Sequence, residues 1–143
     1  MRRGWISMAV VMGVAVVLTF VGSSAAQKTK GKTRASQTKY LMRGIVQPNC
    51  KGLADLLKDS GPADDKAWDT AACQASCLNE ASYLLMDDGR CPDGVWAGAT
   101  KTLRENSALA LAAIEKKDLD GTKAAFKSLT GACAACHKAH KSK

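Results

Sequence analysis

The sequence predicts an all-α fold, an antiparallel up-down four-helix bundle, in a chain of 143 residues. From Thr38 onward, apolar residues recur at spacings of three and four in four similar segments, which is the period of an amphipathic helix. Brief stretches rich in Gly, Pro and Asp separate the segments, and no alternating run indicates a strand. About a hundred residues are enough for one domain with one core, and four helices with short joints are typical of an up-down bundle.

Segment one spans residues 38–58, and Pro48 within it should kink or restart the helix. Its apolar stripe consists of Leu41, Ile45, Leu53, Leu56 and Leu57. After a turn at residues 59–62, segment two spans residues 63–88, with Asp64 or Asp65 as its N-cap. Its apolar positions are Trp68, Ala72, Leu78, Leu84 and Leu85.

Residues 89–92 end segment two, and segment three starts near Asp93. Its apolar positions are Trp96, Ala99, Leu103, Ala110, Ala113 and Ile114. Residues 117–119 form the next joint, and segment four begins near Asp120. Its buried face is expected to carry Phe126, Leu129, Cys133 and Cys136.

Residues 1–26 are predicted to be a secretory signal peptide. Arg2 and Arg3 form a charged start, residues 4–22 carry no charge, and the small residues 24–26 suit a signal peptidase that cleaves before Gln27. We therefore expect a periplasmic or otherwise exported protein. The alternative is an uncleaved N-terminal membrane anchor, because the apolar run is near the lower limit for spanning a bilayer.

Residues 27–39 are predicted to be a disordered basic tether, since they contain no apolar residue larger than Ala. The chain has a formal net charge of +8 and no acidic residue before Asp55. From Gly44 onward the charges balance at thirteen of each sign, so the basic character is no sign of nucleic-acid binding. Residues 40–143 are expected to form the folded domain.

Cys133, Cys136 and His137 form the pattern Cys-x-x-Cys-His, which is the attachment site of c-type haem. The two sulfurs would bind the porphyrin as thioethers, and the imidazole of His137 would be the proximal iron ligand. Export supports this reading, because covalent attachment belongs outside the cytoplasmic membrane. The alternative is a coincidental disulfide or redox pair followed by a surface His. No hydrolase or kinase motif is present, so we do not expect an enzyme.

With this motif only six residues from the chain end, the predicted bundle resembles the class II cytochromes c, the cytochrome c prime group and its low-spin relatives. The resemblance implies a four-helix bundle with one covalently bound haem c on its last helix. Class I cytochromes c need a methionine ligand far downstream of the motif, and this chain has no room for one. The resemblance also allows a homodimer.

The resemblance further implies that the first helix covers the distal side of the haem. The family spacing Tyr-Arg-x-x-x-Met is not reproduced here, because Ile45 stands five residues after Tyr40. We expect a distal pocket lined by Leu41, Met42 and Ile45, with Met42 as the candidate distal ligand and Met86 as a distant second. His140 is expected at the surface or near a haem propionate.

These features predict an electron carrier that docks with acidic redox partners through Lys138, Lys141 and Lys143. A second hypothesis is a five-coordinate haem that binds NO or CO. A third, from another class, is a haem-free helical thiol–disulfide protein that uses Cys133 and Cys136.

Four further cysteines in an exported chain predict two disulfides. Folding segments one and two about residues 61–62 places Cys50 and Cys73 at equal distances from the turn, which favours the pairs Cys50–Cys73 and Cys77–Cys91. Buried free thiols are the alternative.

Overall fold

The computed structural model describes residues 29–141, and this part of the chain is all-helical, as predicted. It contains four helices: α1, which comprises Thr38–Leu41, Met42–Val46 and Gln47–Leu56, then α2 (Asp65–Met86), α3 (Gly94–Glu115) and α4 (Leu119–His140). No strand forms among the described residues, where one isolated bridge joins Lys30 and Gln37. The predicted signal peptide lies outside them.

Helix α1 changes its hydrogen-bonding pattern midway, because Met42–Val46 is a π-helical stretch between two α-helical ones. Pro48 accounts for the change, since it has no N–H to donate and is tolerated in the first turn of a helix. The α-helical pattern resumes at Gln47, which is the restart expected at Pro48. The side chain of Asn49 donates a 2.7 Å hydrogen bond to the carbonyl of Ile45 and so satisfies an acceptor near the transition.

The other three helices each begin after an Asp whose carboxylate accepts a hydrogen bond from the third residue beyond it. Asp64 accepts from the amide of Ala67 at 2.7 Å, Asp93 from that of Trp96 at 3.0 Å, and Asp118 from that of Gly121 at 2.9 Å. Such caps satisfy donors that the helix cannot bond itself and contribute about 0.5–2 kcal/mol each. The N-cap predicted at Asp64 or Asp65 is Asp64, and the start of segment three predicted near Asp93 is confirmed.

Consecutive helices pack on one another, α1 on α2, α2 on α3 and α3 on α4. The core they enclose contains Leu53, Leu78 and Leu129 at zero exposure, with small residues such as Ala71, Ala75 and Ala110 between them. Asn79 joins α2 to α3 by donating to the carbonyl of Arg104 at 2.9 Å and to Ser107 Oγ at 3.1 Å. None of the helices within residues 29–141 is both long and apolar enough to cross a membrane.

Residues 29–37 lie against the α2–α3 loop, in contrast to the solvated tether expected there. The carboxylate of Asp88 accepts hydrogen bonds from the amides of Thr33 and Arg34, both at 2.9 Å, and from Thr33 Oγ1 at 3.1 Å. Although desolvation acts to raise the pKa of Asp88, these hydrogen bonds hold that pKa below its ordinary value. Asp88, whose backbone is left-handed (φ 61°), therefore orders residues 29–37, although their composition predicts disorder.

Arg90 and Thr38 also hold residues 29–37 in place through hydrogen bonds. Arg90 is 1% exposed, and its Nη2 donates to the carbonyl of Ser36 at 3.1 Å. Both the amide and the hydroxyl of Thr38 donate to the carbonyl of Thr29 at 3.1 Å. The packed part of the chain therefore extends upstream of the predicted boundary at residue 40.

We expect Asp88→Ala to release residues 29–37, because it removes three hydrogen bonds to one carboxylate. Amide hydrogen exchange at Thr33 and Arg34 should accelerate, while amides in the middle of α2 keep their protection. Asp87→Ala, a change in the same loop at an exposed carboxylate, serves as the control. Equal exchange in both variants would contradict the assignment.

The same contact should weaken in acid. The pKa of Asp88 is lowered in the folded protein, so its contribution is present above the ordinary value of 3.8 and is lost as the pH falls through the lowered value. Amide exchange at Thr33, corrected for its intrinsic pH dependence, should therefore show a loss of protection below that pH which Asp88→Ala does not show.

Candidate functional site

The Cys-x-x-Cys-His motif lies in the last turns of α4, and its three reactive side chains border one cleft. Residues three and four apart share a helix face, which brings the three groups together. Cys136 is 7% exposed and Cys133 is half-buried, whereas His137 is the most exposed of the three. The thiols are therefore more enclosed than the imidazole.

The cleft has a volume of about 560 Å³ and lies between α1 and α4. These two helices make almost no direct contact with each other, so the space between them is not filled by interlocking side chains. A volume of this size falls within the range of roughly 300–1,000 Å³ that is typical of ligand and cofactor sites.

The α1 wall of the cleft is formed by residues four apart, namely Thr38, Met42, Val46, Cys50 and Ala54. The wider turn of the π-helical stretch favours this spacing over the ordinary helical period. Leu41 and Ile45, predicted for the distal pocket, are half-buried and do not border the cleft. Val46, which stands four residues after Met42, borders the cleft and was not among the residues predicted for the distal pocket.

A smaller cavity of about 40 Å³ adjoins the motif. Met42, Val46, Leu85 and Leu103 line it together with Cys133, Cys136 and His137. Met42 and His137 border both cavities, which places the thioether of α1 and the imidazole of α4 in one neighbourhood. Met86, the second candidate ligand from the sequence, borders neither.

Trp96 closes the inner side of the cleft and is 3% exposed. Its indole Nε1 donates a 2.8 Å hydrogen bond to the carbonyl of Leu85, one of the last four carbonyls of α2 that have no partner within the helix. The indole thus contributes apolar surface to the cleft while its polar atom is satisfied by the end of α2.

His140 is buried at 6% exposure, which contradicts the expected surface position. Its ring meets Trp96 edge-on, with ring centroids 5.4 Å apart, and its Nε2 lies 3.4 Å from Oδ1 of Asp93. His140 also borders the cleft, so it belongs to the enclosed surroundings of the motif. The sequence alone gave no sign of this, because Trp96 and Asp93 are distant in the chain.

Burial shifts the pKa values of all three motif side chains. It raises the pKa of Cys133 to about 11, helped by the neighbouring Cys50 and Cys136, and it raises the pKa of Cys136 with Asp93 nearby. Burial also lowers the pKa of His137, and Lys141 adds to this effect. At neutral pH the imidazole is therefore neutral and retains a nitrogen lone pair for a metal.

Cationic side chains surround the mouth of the cleft. Lys39, Arg43 and Lys141 border it, from both α1 and the end of α4. Lys51 also borders it, and its ammonium forms a 2.6 Å ion pair with Asp55. Such a rim suits a ligand whose body is apolar and whose edge carries carboxylates. The lysines predicted to dock a partner lie at the C-terminus. The three cations of α1 were not predicted.

Neither predicted disulfide is formed, and all six cysteines are free in the structure. Cys50 and Cys73 lie at similar levels of the α1–α2 hairpin, since Gly52 lies directly against the side chain of Gln74. Cys50, however, borders the cleft, whereas Cys73 is exposed on α2. The equal distances from the turn thus predicted that Cys50 and Cys73 lie at the same height along the α1–α2 hairpin. They did not predict that the two residues lie on helix faces that do not meet.

The pairing Cys77–Cys91 does not fit the fold. Asn79, two residues from Cys77, lies beside Arg104, which is ten residues into α3 or about 15 Å along its axis. Cys91 precedes α3, and its thiol donates to the carbonyl of Asp93 at 3.4 Å. A disulfide needs Cα atoms within roughly 7 Å of each other.

The residues around the cleft fit a covalently attached haem. Two thiols and one neutral imidazole lie on one wall, apolar groups line the interior, and cations at the mouth match two propionates. Within residues 29–141, no cluster of three or more His, Cys, Asp or Glu side chains forms a self-contained metal site.

We expect Trp96→Phe to destabilise the protein by about 1–3 kcal/mol, because it leaves the buried carbonyl of Leu85 without a partner. Urea unfolding of the purified protein measures this difference. Trp68→Phe, the same change at a half-buried tryptophan, is the matched control. Equal losses in the two variants would show that the indole hydrogen bond does not account for the effect.

No family model, curated protein or solved structure matches this chain.

Proposed function

We propose that this chain is an exported monohaem c-type cytochrome of the class II kind, an up-down four-helix bundle that transfers electrons. The observation that carries the proposal is the convergence of Cys133, Cys136 and His137 on one large cleft. A coincidental motif would have no reason to border the space left where α1 and α4 stand apart.

Each group at the cleft has a task in this proposal. The sulfurs of Cys133 and Cys136 form the thioethers, and His137 is the proximal ligand. The cations of the rim, Lys39 and Arg43 among them, pair with the propionates. Trp96 and Phe126 exclude water from the interior. When bound, haem supplies the one-electron couple, whose potential the protein sets through ligation, burial and hydrogen bonds.

Met42 is the proposed distal ligand. It borders both cavities that His137 borders, and a thioether is a suitable sixth ligand for an electron carrier. Ligation by histidine and methionine raises the reduction potential and leaves no open position for external ligands.

A second candidate function is the binding of NO or CO at a five-coordinate haem. The apolar cavity of about 40 Å³ beside Met42 and His137 favours it, because a site of this size and polarity suits a diatomic gas rather than a network of water. A haem-free thiol–disulfide function is less well supported. The raised pKa of Cys133, about 11, disfavours the thiolate that such exchange requires.

Docking of acidic redox proteins remains part of the proposal, since Lys138 and Lys141 lie beside the cleft mouth at the end of α4. A homodimer is a further possibility that the resemblance brings. Export to the periplasm completes the proposal, because the thioethers are formed there.

We expect the exported protein to carry haem that stays with the polypeptide after denaturation and acid extraction. Mass spectrometry and haem staining of a denaturing gel measure this. Cys133→Ser and Cys136→Ser should each remove one thioether and sharply reduce the yield of haem protein. Cys73→Ser and Cys77→Ser make the same change on the exposed face of α2 and should leave it unaltered. Exported protein without covalent haem would overturn the proposal.

We expect Met42→Ala to convert a low-spin reduced spectrum into one that CO shifts, because the substitution opens the distal position. Visible spectra of oxidised and reduced protein, with and without CO, give the answer. Met86→Ala is the matched control, since Met86 borders neither cavity. An unchanged spectrum in Met42→Ala would exclude Met42 as ligand, and CO binding by the unmodified protein would favour the second candidate function.

A further inference from the structure

Three parts of the chain meet at one end of the bundle, which we call the basic end: residues 29–43, 87–95 and 137–141. Asp88 of the α2–α3 loop holds the amides of Thr33 and Arg34. Asp93 at the start of α3 lies 3.4 Å from His140 at the end of α4. The cleft is lined along α1 from Thr38 to Ala54 and along α4 from Phe126 to Lys141, so it reaches this end of the bundle.

The basic end carries eight cations against three carboxylates. Asp88 is engaged by hydrogen bonds and Arg90 is buried, which leaves six exposed cations against the two exposed carboxylates of Asp87 and Asp93. The exposed cations are Lys30, Lys32, Arg34, Arg43, Lys138 and Lys141. This surface produces a positive potential that extends about one Debye length, roughly 8 Å at physiological salt.

The far end of the bundle has the opposite balance. Residues 51–69 and 115–123 contain six cations and eight carboxylates. These stretches are joined by the 2.6 Å ion pair of Lys117 with Asp65 and by the 3.0 Å hydrogen bond from Lys123 Nζ to the carbonyl of Asp59. The protein is therefore electrically polar, with the basic end positive.

Apolar groups are exposed among the cations of the basic end. Tyr40 is 55% exposed and Val95 is 52% exposed. The ammonium of Lys39 lies 4.9 Å from the centre of the Tyr40 ring. Tyrosine beside cations is the combination found where proteins meet the headgroup region of a bilayer, because the ring is apolar and its hydroxyl is polar.

We propose that the basic end docks on a bilayer surface of anionic phospholipids. Charge complementarity supports this partner, since each Lys or Arg near such a surface adds to the attraction. The exposed Tyr40 and Val95 suit the headgroup layer of such a bilayer.

The docked orientation places the end of the cleft that reaches the basic end against the membrane surface. Lys39, Arg43 and Lys141 border the cleft there, so a membrane-bound redox partner would be met at this end. This last consequence rests on the proposed electron transfer, whereas lipid docking itself depends only on the surface. The two ideas can therefore fail separately.

The test uses the protein as recovered after export, its N-terminus defined by mass spectrometry, and sedimentation with vesicles. Phosphatidylcholine vesicles with and without a third of phosphatidylglycerol are the two probes. We expect binding to the anionic vesicles alone, and its loss in high salt. The triple variant Lys30→Gln, Lys32→Gln, Arg34→Gln should weaken binding by about tenfold to a hundredfold. Its covalent haem content should not change.

The matched control removes the same charge elsewhere, by Lys66→Gln, Lys116→Gln and Lys127→Gln, and should bind almost as the unmodified protein does. Equal weakening in both triples would mean that net charge alone acts, and would overturn the proposal. Equal binding to both kinds of vesicle would also overturn it. Binding to polyglutamate beads without binding to vesicles would assign the surface to an acidic protein instead.

Discussion

The indole of Trp96 is the contact on which the arrangement of the site depends. Its Nε1–H donates to the carbonyl of Leu85 at the end of α2, and its ring meets His140 at the end of α4. The backbone amide of Trp96 donates to the carboxylate of Asp93, which caps the start of α3. Three helices are thereby held at fixed positions around one buried side chain. The motif residues precede His140 by less than two turns, so their placement in the cleft follows from this contact.

The α2–α3 loop extends this control to the N-terminal segment. Asp88 orders residues 29–37, Arg90 supports them from beneath, and Asp93 lies beside the end of α4. A connection of seven residues thus determines where the chain enters the bundle and where it leaves it. Both termini of the described part are consequently near the cleft, which explains why charge from distant parts of the sequence collects at one end.

Helices and their starts were predictable because they depend on local signals. Asp64 and Asp93 precede apolar periodic segments, and their caps form as expected. Features that depend on distant partners were not predictable. The π-helical stretch turned Val46 instead of Ile45 toward the cleft, Trp96 enclosed His140, and Asp88 ordered a polar segment. Equal sequence distance from a turn likewise predicted the level of Cys50 and Cys73, but a helix face is determined by the path of the backbone.

The separation of α1 from α4 has a consequence for assembly. Helices α2, α3 and α4 each pack along a neighbour over their length, whereas α1 is held by α2 and by the anchored segment before it. The local stability of α1 is therefore lower than that of the other three helices. Its detachment is the large-scale opening of the molecule that requires the least free energy. Detachment of α1 uncovers the α4 side of the cleft, so this side of the bundle is the one that local opening exposes most readily.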